Sequence, residues 1–202
     1  ATFLEKGLDW EALVRKERSA MKAGQKYIRG IFAGGTFCYQ SQQVLQEAGV
    51  FVLSNSPLEG NRKLPDPYRS REHTLVDMGA DEFTVGRPHP MIDSSLRRDR
   101  ILAEAQDPEV ALLLLDFILG FIASPDPAGE LAGAITEAKV RAKERGGYLC
   151  VVASVCGTEE DPQDLAGQIR MLQKAGAVVL PSSARAAQFS ADLIHSIGGA
   201  HG

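Results

Sequence analysis

The chain has 202 residues, of which 44% are hydrophobic, and a formal net charge of −4. This length and apolar content suffice for one core, or for one core with an appended arm. The weak acidity and the lack of a basic cluster interleaved with aromatic residues argue against a nucleic-acid-binding surface. Three cysteines without a CxxC pair signal neither a disulfide framework nor a metal site, so we expect a reducing, cytoplasmic location.

The apolar runs are too short for a membrane protein. The longest, residues 111–123, is interrupted by Asp116 and falls short of the roughly 18–20 residues that a membrane span needs. We therefore expect no contact with a membrane.

Apolar strand patterns alternate with helical patterns along the chain, which predicts a mostly parallel sheet with helices on both faces. A helical arm is expected at residues 1–24, a main body at 25–197 and a loose tail at 198–202. The predicted strands cover residues 27–33, 50–54, 74–78, 110–119, 148–154 and 176–180. This is the pattern of a flavodoxin-like, doubly wound α/β domain, whose ligands bind beyond the carboxyl ends of the strands.

The first strand ends at Gly34, Gly35 and Thr36, and a helical pattern follows until Gly49. Glycines let the backbone approach a ligand closely, and Thr36 can cap the new helix. The amides and the dipole at such a helix start favour an anion such as phosphate or carboxylate. The alternative is a tight strand-to-helix turn that simply needs small residues.

Asp116 is a carboxylate within the most apolar strand. An unpaired buried charge is costly, so this side chain needs a partner or access to water near the strand end. Both a catalytic and a purely structural carboxylate fit this position.

A second loop, residues 86–93, combines Arg87 and His89 with two prolines. An arginine fork suits carboxylates and phosphates, and an imidazole can transfer protons near neutral pH. The alternatives are a surface ion pair for Arg87 and a rigid loop residue for His89. Cys156, after a later strand, has no neighbouring histidine and is more typical of an inert cysteine than of a nucleophile.

From about residue 25 to residue 197, these motifs resemble the ligase domain of the succinyl-CoA synthetase α-subunit, and more closely the FdrA family of acyl-CoA-synthetase-like proteins. Gly34-Gly35-Thr36 stands where the synthetases have a Ser-Gly-Thr turn. The loop at 86–90 corresponds to their Gly-Gly-Asp-Pro loop, and Asp116 corresponds to the acidic residue that contacts their phosphorylated histidine.

One departure from the synthetase pattern is decisive. The synthetases carry the phosphorylated histidine in an Arg-Met-Gly-His-Ala-Gly loop, whereas this chain has no histidine between residues 153 and 162. A phosphohistidine relay at that position is therefore excluded, and His89, on another loop, is a weak substitute. The Val-Cys-Gly-Thr segment found here is shared with FdrA-like proteins, so Gly157 and Thr158 join the candidate anion-binding residues.

The resemblance implies a fragment of an acyl-CoA-synthetase-like enzyme that is inactive alone and docks to a CoA-binding Rossmann-type domain, within an oligomer. Gly34, Gly35 and Thr36 would bind an anion, Arg87 and His89 would orient a carboxylate, and Asp116 would tune the site. CoA or a phosphate-bearing substrate would be held through the partner domain. Two alternatives remain: carbamoyl transfer on an oxamate-like acid in allantoin breakdown, and a non-catalytic assembly module.

Overall fold

The computed structural model describes residues 8–198 of the chain. The seven helices of this part are α1 Trp10–Ala20, α2 Gly35–Glu47, α3 Asp81–Thr84, α4 Ser95–Glu104, α5 Pro127–Glu144, α6 Leu165–Lys174 and α7 Ser183–Gly198. The strands are β1 Tyr27–Phe32, β2 Leu53–Ser54, β3 Arg62–Lys63, β4 Thr74–Asp77, β5 Val110–Ile118, β6 Cys150–Cys156 and β7 Val178–Leu180.

The seven strands form one sheet in the order β3-β2-β4-β1-β5-β6-β7, and every pairing is parallel. This confirms the expected flavodoxin-like α/β fold. Strands β2, β3 and β4 lie on one side of β1, and β5, β6 and β7 lie on the other. The direction of winding therefore reverses at β1, which makes the gap beside β1 the topological switch point. In a doubly wound sheet, the crevice beyond the carboxyl ends at this switch point is the usual ligand position.

Both faces of the sheet are covered, which explains the continuous apolar sequence of β5. Helices α4, α5 and α6 pack on one face, and α2 and α7 pack on the other. Helix α1 lies outside α7, where the Trp10 indole donates to Asp192 at 2.8 Å and packs edge-on against Phe189. The first part of the expected arm, residues 1–7, and the last residues of the expected tail, 199–202, lie outside the described residues.

Several helix starts follow capping chemistry. The Asp126 carboxylate accepts from the Gly129 amide at the start of α5, and Pro127 occupies the first helical position, where its missing N–H has no cost. The hydroxyl of Ser182 accepts from the Arg185 amide at the start of α7. Within residues 8–198, none of the helices combines the length and the apolar character that crossing a bilayer requires.

Candidate functional site at the carboxyl edge of the sheet

The start of α2 forms the centre of the candidate site. Its N-cap is Gly34, with no side-chain cap, so the expected capping by Thr36 is wrong because Thr36 already lies inside the first helical turn. Gly34 is extended, at φ −166°, and a Cβ there would meet open space. A side chain larger than hydrogen would therefore fit at Gly34 and would occupy the volume in front of the helix start.

Asp116 reaches this turn from β5. It is 1% exposed, and its Oδ1 accepts hydrogen bonds from the Ala33 amide and from Arg97 Nη2, both at 2.8 Å. Its Oδ2 has no partner among the described residues. Burial raises the pKa of the Asp116 carboxyl, while the Arg97 guanidinium and the Ala33 amide act in the opposite direction. A buried carboxylate oxygen without a donor is costly, and a ligand N–H or O–H would remove that cost.

Arg97, on α4, is the buried partner that holds this carboxylate. Its Nη2 also donates to the main-chain carbonyls of Ile31, at 3.0 Å, and Asp116, at 2.6 Å. The guanidinium thus ties β1 to β5 just below the candidate site. Since Arg97 bonds Oδ1 of the Asp116 carboxylate and not Oδ2, it positions that carboxylate and leaves Oδ2 without a donor within residues 8–198.

Asp77 brings a second carboxylate from the end of β4. Its Oδ1 accepts from the Gly79 amide at 2.9 Å, and its Oδ2 lies 3.1 Å from where a Cβ on Gly35 would stand. Burial and the nearby Asp116 charge raise the pKa of Asp77. The Asn55 side chain fixes its backbone, since Nδ2 donates to Asp77 O at 2.8 Å and Oδ1 accepts from Asp77 N at 2.9 Å.

His89 approaches from the loop after α3. A Cβ on Gly79 would lie 2.8 Å from His89 Nε2, 2.9 Å from Ala33 O and 3.1 Å from Gly34 Cα. The imidazole, the turn that follows β4 and the start of α2 therefore lie against one another. The Nδ1 atom of His89 accepts from the Met91 amide at 3.2 Å. In the neutral ring this bond leaves the proton on Nε2, the ring nitrogen that lies beside Gly79.

The other expected residues lie along the same edge without joining this cluster. Arg87 is exposed, and its guanidinium has no hydrogen bond or ion pair with residues 8–198. A Cβ on Gly157 would lie 2.8 Å from side-chain atoms of Leu119. Close packing against Leu119 is therefore a sufficient reason for a glycine at this position. The amide and hydroxyl of Thr158 both donate to Asp161 Oδ2, at 2.6 and 3.2 Å.

Cys156 is exposed on this edge, at the end of β6. Desolvation and the Asp116 and Asp161 carboxylates raise the pKa of its thiol, which disfavours the nucleophilic thiolate. In the part of the chain from residue 8 to residue 198, no three His, Cys, Asp or Glu side chains converge as a metal site would require.

The structure thus brings together Gly34, Gly35, His89 and Asp116, and adds Asp77, which the sequence analysis missed. A signal for Asp77 was available: it is a lone acidic residue at the end of a buried strand, and Asp116 lies similarly, two residues before the end of β5. No comparable signal marked Arg97, because its contact with Asp116 joins a helix to a strand 19 positions away.

Comparisons with known proteins agree with this architecture. Residues 31–193 match the family model described as CoA-ligase. Uncharacterized protein YahF of Escherichia coli (strain K12) is 42% identical over 173 residues, which are 86% of this chain and 34% of that protein. The chain therefore spans about a third of the length of this curated relative.

A solved structure, that of PH0766 from Pyrococcus horikoshii OT3, shares the fold. It superposes with a TM-score of 0.53 over 96% of this chain and 41% of its own, at 12% sequence identity.

Proposed function

Because this chain belongs to the CoA-ligase family, we propose that it is the flavodoxin-like domain of an FdrA-type acyl-CoA-synthetase-like enzyme that works without a phosphohistidine. The observation that carries this proposal is the meeting of an uncapped helix start, two buried carboxylates and an imidazole at the topological switch point. In this proposal the substrate's reacting group binds at the start of α2, and CoA is supplied by a partner domain.

The orientation of His89 supports a role as hydrogen-bond donor rather than as phosphate carrier. A histidine phosphorylated at Nε2 must present a lone pair there, and its proton then sits on Nδ1. Here Nδ1 accepts from the Met91 amide, so the Nε2 lone pair is replaced by an N–H in the neutral ring. His89 would therefore polarise or orient the substrate.

Carbamoyl transfer to or from an oxamate-like acid is the second candidate, and the mixture of donors and acceptors favours it. The site holds carboxylate oxygens of Asp77 and Asp116 beside the Nε2–H of His89 and the first amides of α2. A carbamoyl group presents two N–H donors and one carbonyl acceptor, which complements both sets. A bare phosphate would meet the donors but would also face two carboxylates.

A non-catalytic assembly module is the third candidate. Phe121 and Ile122, in the loop after β5, are 93% and 80% exposed. The base of this loop is fixed, since the Gln163 side chain bonds both the amide and the carbonyl of Gly120, and Ser124 N donates to Met91 O at 2.7 Å. Two large apolar side chains on a fixed base beside the site would suit contact with a second CoA-ligase-type domain.

Titration calorimetry with inorganic phosphate, carbamoyl phosphate, oxamate and CoA tests these candidates, with Gly34→Leu as the diagnostic variant. The new side chain would fill the open space before α2 without a clash, because Gly34 is extended and unobstructed. Gly133→Leu, at an equally open glycine on α5, is the matched control. A change at Gly35 is less clean, since it would press on Asp77 and Tyr39.

We expect a small ligand to bind the wild type and the Gly133 variant, and the Gly34 variant to bind at least tenfold more weakly. Preference for carbamoyl phosphate or oxamate over phosphate would favour carbamoyl transfer. Equal binding by the Gly34 variant would rule out the α2 start as the site. If the folded wild type binds none of the four, the assembly candidate takes precedence, and sedimentation of a Phe121→Ser, Ile122→Ser variant should then show weakened self-association.

A further inference from the structure

A large groove lies at the opposite, amino-terminal edge of the sheet. Its volume is about 740 Å³, and it runs between the residues after α1, the outer side of α5 and the glycine turn before β6. Its walls are mainly apolar, with Val140, Leu149 and Ala175 among them. This volume lies within the range of about 300–1,000 Å³ that is usual for small-molecule sites.

The charge that lines this groove has a single sign. Lys22, Lys139 and Lys143 contribute ammonium groups, and no aspartate or glutamate is among the lining residues. The chain as a whole carries a net charge of −4, so this positive lining is local and not a reflection of the composition. Electrostatic complementarity therefore calls for an anionic occupant.

Lys139 is held in place on the groove floor. Its Nζ donates to Leu149 O at 2.7 Å and lies 4.9 Å from the centre of the Tyr148 ring, while its stem passes over Gly176. The Tyr148 hydroxyl is in turn bonded to Glu17 at 2.6 Å. An ammonium has three N–H donors, so Lys139 can keep this bond and still donate to a ligand. Burial lowers the pKa of Lys139, and a bound anion would offset that cost.

We propose that this groove binds an amphipathic monoanion, a carboxylate with an apolar body, independently of the carboxyl-edge site. The carboxylate would lie between Lys139 and Lys143, and the apolar body would lie along Val140, Leu149 and Ala175. A groove of about 740 Å³ suits a single small molecule better than a flat lipid surface.

The test uses dodecanoate below its micelle concentration, with binding followed by calorimetry and by amide shifts of the labelled chain. Dodecyltrimethylammonium carries the same tail with the opposite charge, and vesicles of anionic phospholipid present negative charge on a surface. We expect saturable binding of dodecanoate, with shifts concentrated at residues 136–149, and weaker binding of the cationic analogue. Binding to vesicles but not to monomeric dodecanoate, or shifts spread over the whole chain, would overturn the proposal.

Lys143→Glu separates a specific site from general tail binding. Lys143 is exposed, so the fold should persist, and we expect dodecanoate affinity to fall about fivefold to tenfold. Lys143→Arg should restore it. Arg170→Glu, an equal charge change on the exposed side of α6, is the matched control and should leave affinity unchanged. Equal affinity in all of these variants would also overturn the proposal.

Discussion

The two edges of the sheet differ in how they hold charge. At the carboxyl edge, Asp77 and Asp116 lie beside the start of α2, and at the amino edge Lys139 and Lys143 lie in the last turns of α5. Both sets oppose the sign of the neighbouring helix dipole, which is favourable. The carboxylates, however, are buried, and Lys143 is exposed to water.

This difference shows at which edge the charges reduce the stability of the fold. At the amino edge, the exposed Lys143 stabilises the end of α5 at almost no cost in desolvation, whereas burial lowers the pKa of Lys139. The Asp77 carboxylate, whose pKa is raised by burial and by Asp116, makes the fold less stable when it is ionised, and Asp116 Oδ2 has no donor among the described residues. Groups that reduce stability where ligands usually bind are typical of functional sites. Four measurements compare the edges on this basis.

The largest effect is expected from Arg97→Met at the carboxyl edge. Removing one partner of a buried ion pair leaves Asp116 charged and poorly compensated, and it frees two main-chain carbonyls. We expect a loss of about 3–5 kcal/mol in unfolding free energy by urea titration. Arg98→Met, at the exposed neighbouring position, should change it by less than about 0.5 kcal/mol. Similar values for both variants would contradict the structural role of Arg97.

At the amino edge, His73 should make the free energy of unfolding decrease at acidic pH. Its Nδ1 accepts from the Ile28 amide at 3.2 Å, and burial together with Arg29 lowers its pKa to about 4. The unfolded chain therefore binds more protons between pH 6.5 and 4, and stability falls as pH falls through this window. From pH 7 to pH 5 the loss should be about 1–2 kcal/mol. His73→Asn keeps an acceptor and should lose that part of the dependence; parallel pH curves would contradict this.

Asp77→Asn should stabilise the fold while weakening the site. Because burial and Asp116 raise the pKa of Asp77, its ionisation makes the fold less stable as pH rises from the unfolded value of about 3.8 through the folded pKa. The amide oxygen of the new asparagine still accepts from the Gly79 amide, so we expect Asp77→Asn to raise the free energy of unfolding at neutral pH and to weaken ligand binding. Asp81→Asn, exposed in the first turn of α3, should instead lose a few tenths of a kcal/mol. A loss at Asp77 would show that its charge is stabilising.

The smallest effect is expected from Lys143→Gln. Loss of a cation from the last turn of α5 should reduce stability by about 0.3–1 kcal/mol at low salt. Because the charge is exposed, high salt should remove most of the difference. An effect that persists at high salt would mean that Lys143 makes a buried contact.

The sequence predicted the layout of the fold because its signals are local. Strand β5 fell within its expected range, and the glycines after β1 marked the start of α2. Two strand starts were predicted too early where side chains replace strand pairing. Strand β2 begins at Leu53 rather than at residue 50, and the Val52 amide donates to the Asn61 side chain instead. Strand β6 is Cys150–Cys156 rather than 148–154, and the Tyr148 amide donates to Gln25.

The candidate site was predictable only in part, for a related reason. A strand end is visible in sequence, so Asp116 and the glycine turn could be assigned to the carboxyl edge. Which polar groups meet there depends on contacts between distant segments. The approach of His89 to Gly79, and that of Arg97 to Asp116, follow from packing that no local pattern records.

The side chain of Asn55 has a consequence for observing this site. It bonds both the amide and the carbonyl of Asp77, as a neighbouring strand would, so one side chain shields the Asp77 amide. Hydrogen exchange at that amide therefore requires the Asn55 side chain beside the site to open. A ligand that engages the Asp77 carboxylate should slow this exchange, giving a readout of occupancy that needs no knowledge of the reaction.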